Sequence, residues 1–359
     1  MNFIKKCFTV VLAAVSILTA GCGDEPAAKN KSDLVAVSLP VKFPERWIVD
    51  GNELERNLIE KGYSVNLEYA SENKTRQINF LNKAIEDGAK CLIIAPVEAS
   101  ALSEVCEKAK SKGIPVISYD RFIMDTDAVD YYITFDNTKV GELMGHYVED
   151  KLNLAQNSDT HYMELFAGAP EDNNASMVYN GYMSVLTPYI EKGSVKILSE
   201  EDKFNEVATP KWAPELAEKR MDRLLKEYYP RGQRLDAVIC PNDLLANAVI
   251  SSLVNSGYKQ HYPIITGQDA DKVAIINILN DKQGATVFKD TRILAKKAVE
   301  MADTILKGGK PEINDEKTYD NNKKIVPSYL IEPVLVTKNN VTPVIIDSGY
   351  YTKVDIGLE

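Results

Sequence analysis

Cys91-Leu92-Ile93-Ile94-Ala95, with a helical stripe over 102–109, then Gly113 and the run Pro115-Val116-Ile117-Ser118-Tyr119, is the stretch that decides the fold. A strand that is apolar at every position belongs in a parallel sheet covered on both faces, because neither side can be left to water. Leu102, Val105, Cys106 and Ala109 recur at helical spacing, so a helix covers one of those faces. Gly113 stands where that helix must turn out through a left-handed residue, which glycine adopts without a Cβ penalty. The same phrase runs upstream. Apolar strands are predicted at 35–39 and 65–70, and helical segments end at Lys61-Gly62 and at Gly88, the second with Ile78, Leu81 and Ile85 on one face. This is the rhythm of a doubly wound α/β sheet.

The phrase then restarts. Strands at 162–166, 195–198, 237–240 and 264–266 alternate with helices at about 174–190, 214–228 and 243–256. Two similar α/β halves are therefore expected, with 137–140 as their junction, and the length of the chain also favours two domains. A further strand is predicted at 284–288 and a helix at 293–306, closed by Gly308-Gly309. The tail over 324–347 reads as β-rich, broken into edge pieces by Pro327, Pro333 and Pro343.

The N-terminus is an address. Lys5 and Lys6 precede an apolar run from Phe8 to Leu18 and small residues up to Cys22, the plan of a secretory signal. The apolar run is shorter than the ~20 residues that cross a bilayer. Residues 23–33 are polar and aperiodic, which suits a flexible tether. The net charge of −10 becomes −12 once Lys5 and Lys6 leave with the signal. An acidic body argues against nucleic acid, whose binding needs clustered Lys and Arg. Cys91, Cys106 and Cys240 have no metal or redox spacing, nor do the scattered His146, His161 and His261. Buried free thiols are expected, with a Cys91–Cys106 bridge as the alternative in an oxidising compartment.

In open parallel sheets, ligands bind beyond the carboxyl ends of the strands. Those ends carry Glu45-Arg46-Trp47 and Asp120-Arg121 in the first half. The second half carries Glu171-Asp172-Asn173-Asn174, Trp212 in a long loop, Asn242-Asp243, Gln268-Asp269 and Lys289-Asp290. Planar multidentate hydrogen-bonders with both tryptophans suit a sugar: each hydroxyl donates one bond and accepts two, and the C–H faces of the ring stack on indole. Each feature has a plainer explanation when taken alone. Asp120-Arg121 forms an ion pair, Asn242-Asp243 caps a helix, the tryptophans pack, and Glu171 with Asp172 makes a glycosidase pair. The common location at strand ends favours a binding site over a catalytic one, and no nucleophile or acid–base pair has supporting geometry.

Two resemblances follow from these residues. Leu18-Thr19-Ala20-Gly21-Cys22 resembles the lipobox of bacterial lipoproteins, with Thr19 in the slot usually held by leucine. This implies a lipid anchor on Cys22. The body resembles the periplasmic or lipid-anchored monosaccharide receptors of ABC transporters, in the multiple-sugar and xylose-binding group. The matching stretches are Arg46-Trp47, Tyr119-Asp120-Arg121, Thr134-Phe135-Asp136-Asn137, Glu164-Leu165-Phe166-Ala167-Gly168 and Asp172-Asn173-Asn174-Ala175, then Pro241-Asn242-Asp243, Thr266-Gly267-Gln268-Asp269 and Val287-Phe288-Lys289-Asp290-Thr291-Arg292. Lys317-Thr318-Tyr319 and Val326-Pro327-Ser328-Tyr329-Leu330 complete the match, which runs in order from Asp33 to Tyr351.

The resemblance implies a type I periplasmic binding protein, with two doubly wound lobes joined by a three-strand hinge. The first lobe is expected to comprise 34–137 with 290–317, and the second 138–289 with 318–359. Arg46, Trp47, Asp120 and Arg121 would bind sugar from the first lobe, Asn174, Trp212, Asn242 and Asp269 from the second, and Lys289 from the hinge. Trp47 and Trp212 would sandwich the ring. No catalytic residue, metal or cofactor is implied. The partners are a monosaccharide and a membrane permease, and a monomer held outside the cytoplasm is expected. A sugar sensor signalling to a membrane kinase or chemoreceptor is the alternative, and an exported carbohydrate enzyme the more distant one.

Overall fold

The computed structural model describes residues 33–156, 159–230, 232–258 and 262–358. The signal 1–22, with Cys22, lies outside the described residues, as does the tether apart from Asp33.

The first half alternates strands β1 (Leu34–Leu39), β2 (Ser64–Tyr69), β3 (Cys91–Ile94), β4 (Val116–Tyr119) and β5 (Tyr131–Phe135) with helices α1 (Arg46–Glu60), α2 (Lys74–Glu86) and α3 (Ser103–Ser111). Then follow α4 (Asn137–Leu152), β6 (His161–Leu165), α5 (Asn173–Lys192), β7 (Val195–Lys196), α6 (Phe204–Val207), α7 (Pro214–Glu227), β8 (Ala237–Ile239) and α8 (Asp243–Asn255). The chain continues with β9 (Ile264–Ile265), α9 (Lys272–Leu279), β10 (Ala285–Phe288), α10 (Thr291–Leu306), β11 (Ser328–Ile331) and β12 (Val334–Thr337).

The apolar strands do what their composition requires. The first sheet has the order β11-β5-β4-β3-β1-β2, with every pairing parallel. In β3, Leu92 and Ile94 point into a core with residues of α2 and α3, while Cys91 and Ile93 point into one with α1 and α10. The second sheet, β7-β6-β8-β9, is also parallel and is covered in the same manner by α4 with α5 and by α7 with α8. Gly62, Gly88 and Gly113 leave their helices at φ of 92°, 89° and 68°, as the sequence predicts. The α/β fold of two wound parallel sheets is therefore as expected. Cys91, Cys106 and Cys240 are buried and free. Cys91 and Cys106 lie in cores on opposite faces of the first sheet, which removes the bridged alternative.

The chain passes between the two bodies three times: from β5 into α4, from β10 into α10, and from β11 to β12. Helix α10 packs on the first sheet through Leu294, Ala295 and Ala298. The boundary expected at 317/318 is displaced. Tyr319 and Val326 are buried in the α2/α3 core, and Ser328–Ile331 pairs in parallel with Tyr132–Phe135. Residues 318–331 thus belong with the first sheet, where β11 covers the otherwise unpaired edge of β5. Only from β12, antiparallel to β10, does the tail join the second body. The expected β-character also stops early, because Thr342–Ile346 winds into one helical turn with Pro343 as its second residue. Sequence periodicity predicts no element over α4, where only a junction is expected, nor over α9. Among the described residues no helix is long and apolar enough to cross a membrane.

Candidate functional site

At the carboxyl ends of the strands, between the two sheets, lies a cavity of about 300 Å³. All nine residues singled out as ligand-binding line it: Arg46, Trp47, Asp120, Arg121, Asn174, Trp212, Asn242, Asp269 and Lys289. The fold explains the convergence, since all but Trp212, which lies in the loop between α6 and α7, follow a strand or open the next helix, and both sheets present that end to the cleft.

The first-lobe wall is built on Arg46, at the start of α1. Its guanidinium reaches Asp120 at 2.8 and 3.3 Å and Asp50, one helical turn on, at 3.1 Å. Asp269 from the other lobe lies 3.9 Å away. Burial would raise the carboxyl of Asp120, but Arg46, Lys289 and Arg121 outweigh it and hold the group down at about 2. Asp120 sits at φ 59°, in the left-handed region that is uncommon outside glycine. Three donors clasp its carbonyl to hold that conformation: Tyr132 Oη at 2.7 Å, Thr134 Oγ1 at 3.0 Å and Asn174 Nδ2 at 2.8 Å. Strained backbone of this kind persists only where its surroundings over-determine it.

The second lobe answers with Asp269, also left-handed at φ 93°, whose Oδ1 lies 3.2 Å from Lys289 Nζ. Asn242 caps α8, its Oδ1 accepting from Leu245 N at 3.0 Å, so its amide NH₂ is the end left for a ligand. The capping explanation and the lining role thus both hold. Asp172 caps α5 by accepting from Asn174 N at 3.0 Å and pairs with Arg121 across the cleft at 3.2 Å. That double engagement leaves it unsuited to glycosidase chemistry with Glu171.

Two roles differ from expectation. Trp47 lines the cavity but is only 3% exposed, and the Arg46 guanidinium lies 4.4 Å from its ring centroid, with Arg121 at 5.3 Å. Cation–π stacking therefore occupies ring surface that a sugar sandwich would need. Asn174 Nδ2 donates across the lobes to Asp120 O, and its Oδ1 lies 3.1 Å from Tyr132 Oη, whose one proton it shares with Asp120 O. Sequence reasoning noted Gln268 but did not select it. It lines the cavity, is buried, and its Oε1 has no hydrogen-bond partner; nor have Arg46 Nε and Trp212 Nε1. Position alone offered a signal for Gln268, since it follows β9. Asn137 and Glu72 also line the cavity. Among the described residues no group of His, Cys, Asp or Glu is placed to hold a metal ion.

Asp50 stands behind this wall, fully buried, with Tyr119 Oη and Arg46 as donors. Burial, opposed by Arg46 and aided by Asp120, pushes its carboxyl from 3.8 up to about 7. A raised folded-state value means that folding takes up a proton between those limits. The stability it contributes is fully present below 3.8 and is lost as pH rises through about 7. The stability gap between wild type and Asp50→Asn in urea unfolding should therefore shrink from pH 5 to pH 8. A gap that is constant over that range would overturn the assignment.

The two wound sheets, the three crossings and the cleft between the sheets define a two-lobed α/β binding protein. The model of the periplasmic binding protein domain matches residues 35–310, and the chain belongs to that family. It is 43% identical to the multiple sugar-binding periplasmic protein of Azospirillum brasilense, across 96% of this chain and 98% of that one. It is 34% identical to the D-xylose-binding periplasmic protein of Escherichia coli, across 92% and 94%. Among solved structures, an ABC transporter solute-binding protein from Clostridium phytofermentans with bound β-D-glucose superposes with a TM-score of 0.88 at 46% identity, covering 90% of this chain and 100% of that one. These relatives are binding proteins, and the chain is a binding protein and not an enzyme.

Proposed function

We propose that this protein captures a neutral monosaccharide, an aldopentose or aldohexose such as xylose, glucose, arabinose or galactose, between its lobes and delivers it to an ABC importer. The observation that carries this is the set of buried polar atoms without partners at the cavity: donors on Arg46 and Trp212 and an acceptor on Gln268. A buried polar group without a partner is costly, and hydroxyls satisfy donors and acceptors together. The lining sets four cations, Arg46, Arg121, Lys211 and Lys289, against five carboxylates, Glu72, Asp120, Asp172, Glu215 and Asp269, so it holds no surplus of positive charge for an anion. Asp269 and Lys289 supply charge-assisted bonds, and Trp212 a face for the ring.

The mechanism is closure. Contacts to both lobes exist only when they meet, so a ligand bonded to both stabilises that arrangement. The similarity to sugar-bound relatives supports the ligand class, and the secretory plan of residues 5–22 supports an extracytoplasmic protein anchored through Cys22. A tether of about ten residues would then hold the receptor near its permease at raised effective concentration.

Titration of the purified protein with neutral aldoses, read by calorimetry and tryptophan emission, should reveal micromolar binding to at least one, about −8 kcal/mol. Absence of any response across the panel would sink the sugar assignment. In cells producing the full chain, the same binding should sediment with membranes and become soluble in Cys22→Ala. Binding that is soluble in both would remove the anchor.

A further inference from the structure

Gly168 stands beside the cavity wall that Trp212 forms. Beyond the end of β6, Ala167 N donates to Val207 O at 2.8 Å, Ala167 bridges to Ala208, and Thr209 N donates to Gly168 O at 3.1 Å. Residues 207–209 thus run alongside 167–168 like an added strand and deliver the turn that carries Trp212. In that turn Lys211 and Trp212 sit at φ 57° and 54°, and Trp212 N donates back to Thr209 O at 3.1 Å. The backbone therefore aims the indole at a fixed place.

At that place the ring meets Gly168. A Cβ there would overlap Cη2, Cζ2 and Cζ3 of Trp212, the outer edge of the six-membered ring. Gly168 does not have the positive φ that distinguishes glycine at Gly62 or Gly88. Its backbone suits any residue, so what glycine supplies is empty space. The indole cannot retreat freely either, since it also packs against the α7/α8 core. A side chain at 168 would push the ring into the cavity or out of its seat.

We propose that Gly168 is a positioning residue for the binding cavity: its bare Cα seats the indole of Trp212 and so sets how far that ring reaches toward the ligand. The ligand part of this inference rests on the sugar-binding function proposed above. Overpacking by one methyl group forces neighbours off their preferred positions, and because the indole lines the cavity that displacement falls on the ligand.

The test uses the full mature chain with D-glucose and D-xylose as probes. Gly168→Ala should weaken binding by roughly tenfold or more. In a Trp212→Phe background, whose phenyl ring lacks the outer edge, the same substitution should change affinity by less than about threefold. An equal loss in both backgrounds would mean that Gly168 serves the fold alone and would overturn the proposal, as would unchanged affinity in Gly168→Ala. Tryptophan emission without sugar provides an arm independent of the ligand. Gly168→Ala should shift the spectrum when Trp212 is present and leave that of Trp47 unmoved in Trp212→Phe. If the native chain binds neither probe, the sugar assignment is in question, while the emission comparison still decides the role of Gly168.

Discussion

Arg46→Ala is expected to weaken sugar binding by at least about a hundredfold and to lower stability by about 3–5 kcal/mol. Among the described residues Arg46 is the one cation paired with both Asp50 and Asp120, and it lies 3.9 Å from Asp269. Without it, Asp50 and Asp120 face each other inside a buried wall with no guanidinium between them, and the left-handed Asp120 loses the strongest of the three cations that hold its carboxylate. Breaking a buried pair by removing one partner is costly because the other charge remains uncompensated. Two functions fail together: a buried donor without a partner in the cavity lining is lost, and Asp120 is no longer oriented. Arg46→Lys separates them. A lysine ammonium restores positive charge but cannot fork between two carboxylates while stacking on Trp47. It should recover most of the stability and little of the affinity. Calorimetric titration with urea unfolding of both variants measures this, and an Arg46→Ala affinity within about threefold of wild type would refute it.

The parts of this site that were legible in the sequence are those that follow from local pattern. Strands such as Leu92-Ile93-Ile94 announce a sheet buried on both faces, and the ends of such strands form the cleft, so Asp120, Asp269 and Lys289 were found by position alone. What escaped depended on contacts between distant segments. Ser328–Ile331 is a short piece between prolines, and nothing local says that it pairs with β5 rather than with the second sheet. The apolar run of α9, Lys-Val-Ala-Ile-Ile-Asn-Ile-Leu, is rich in β-branched residues and gives no helical stripe; packing against β10 and the C-terminal turns makes it helical. Trp47 was recognisable as an aromatic at the site, but its stacking by Arg46 required the three-dimensional arrangement. Gln268 carried the right position and an ordinary residue type, and only its unpartnered Oε1 distinguishes it.

Asn174→Ala should weaken sugar binding about tenfold to a hundredfold by loosening closure more than by removing a ligand contact. Its amide joins the N-terminus of α5 in the second lobe to Asp120 and Tyr132 in the first. Around it lie other contacts that the protein makes across the cleft for itself: Arg121 with Asp172 at 3.2 Å, Ala99 N to Glu171 O at 3.3 Å, and Glu45 with Lys272 at 3.5 Å. Of these, the Glu45–Lys272 pair is exposed and contributes little. The Asn174 contact is buried, and it secures the strained carbonyl of Asp120, so its loss leaves that carbonyl with one donor fewer in a dry wall. Apparent affinity scales with the fraction of molecules in the binding-competent arrangement, so a variant that opens the lobes binds less well even with every ligand contact intact. Small-angle scattering without sugar distinguishes the two causes. Asn174→Ala should have a larger radius of gyration than wild type, with the difference removed by saturating sugar. Asn174→Asp, which sets a carboxylate against the Asp120 carbonyl, should be more open still. Weakened binding with scattering identical to wild type would instead make Asn174 a direct ligand contact and leave closure to the Arg121–Asp172 pair.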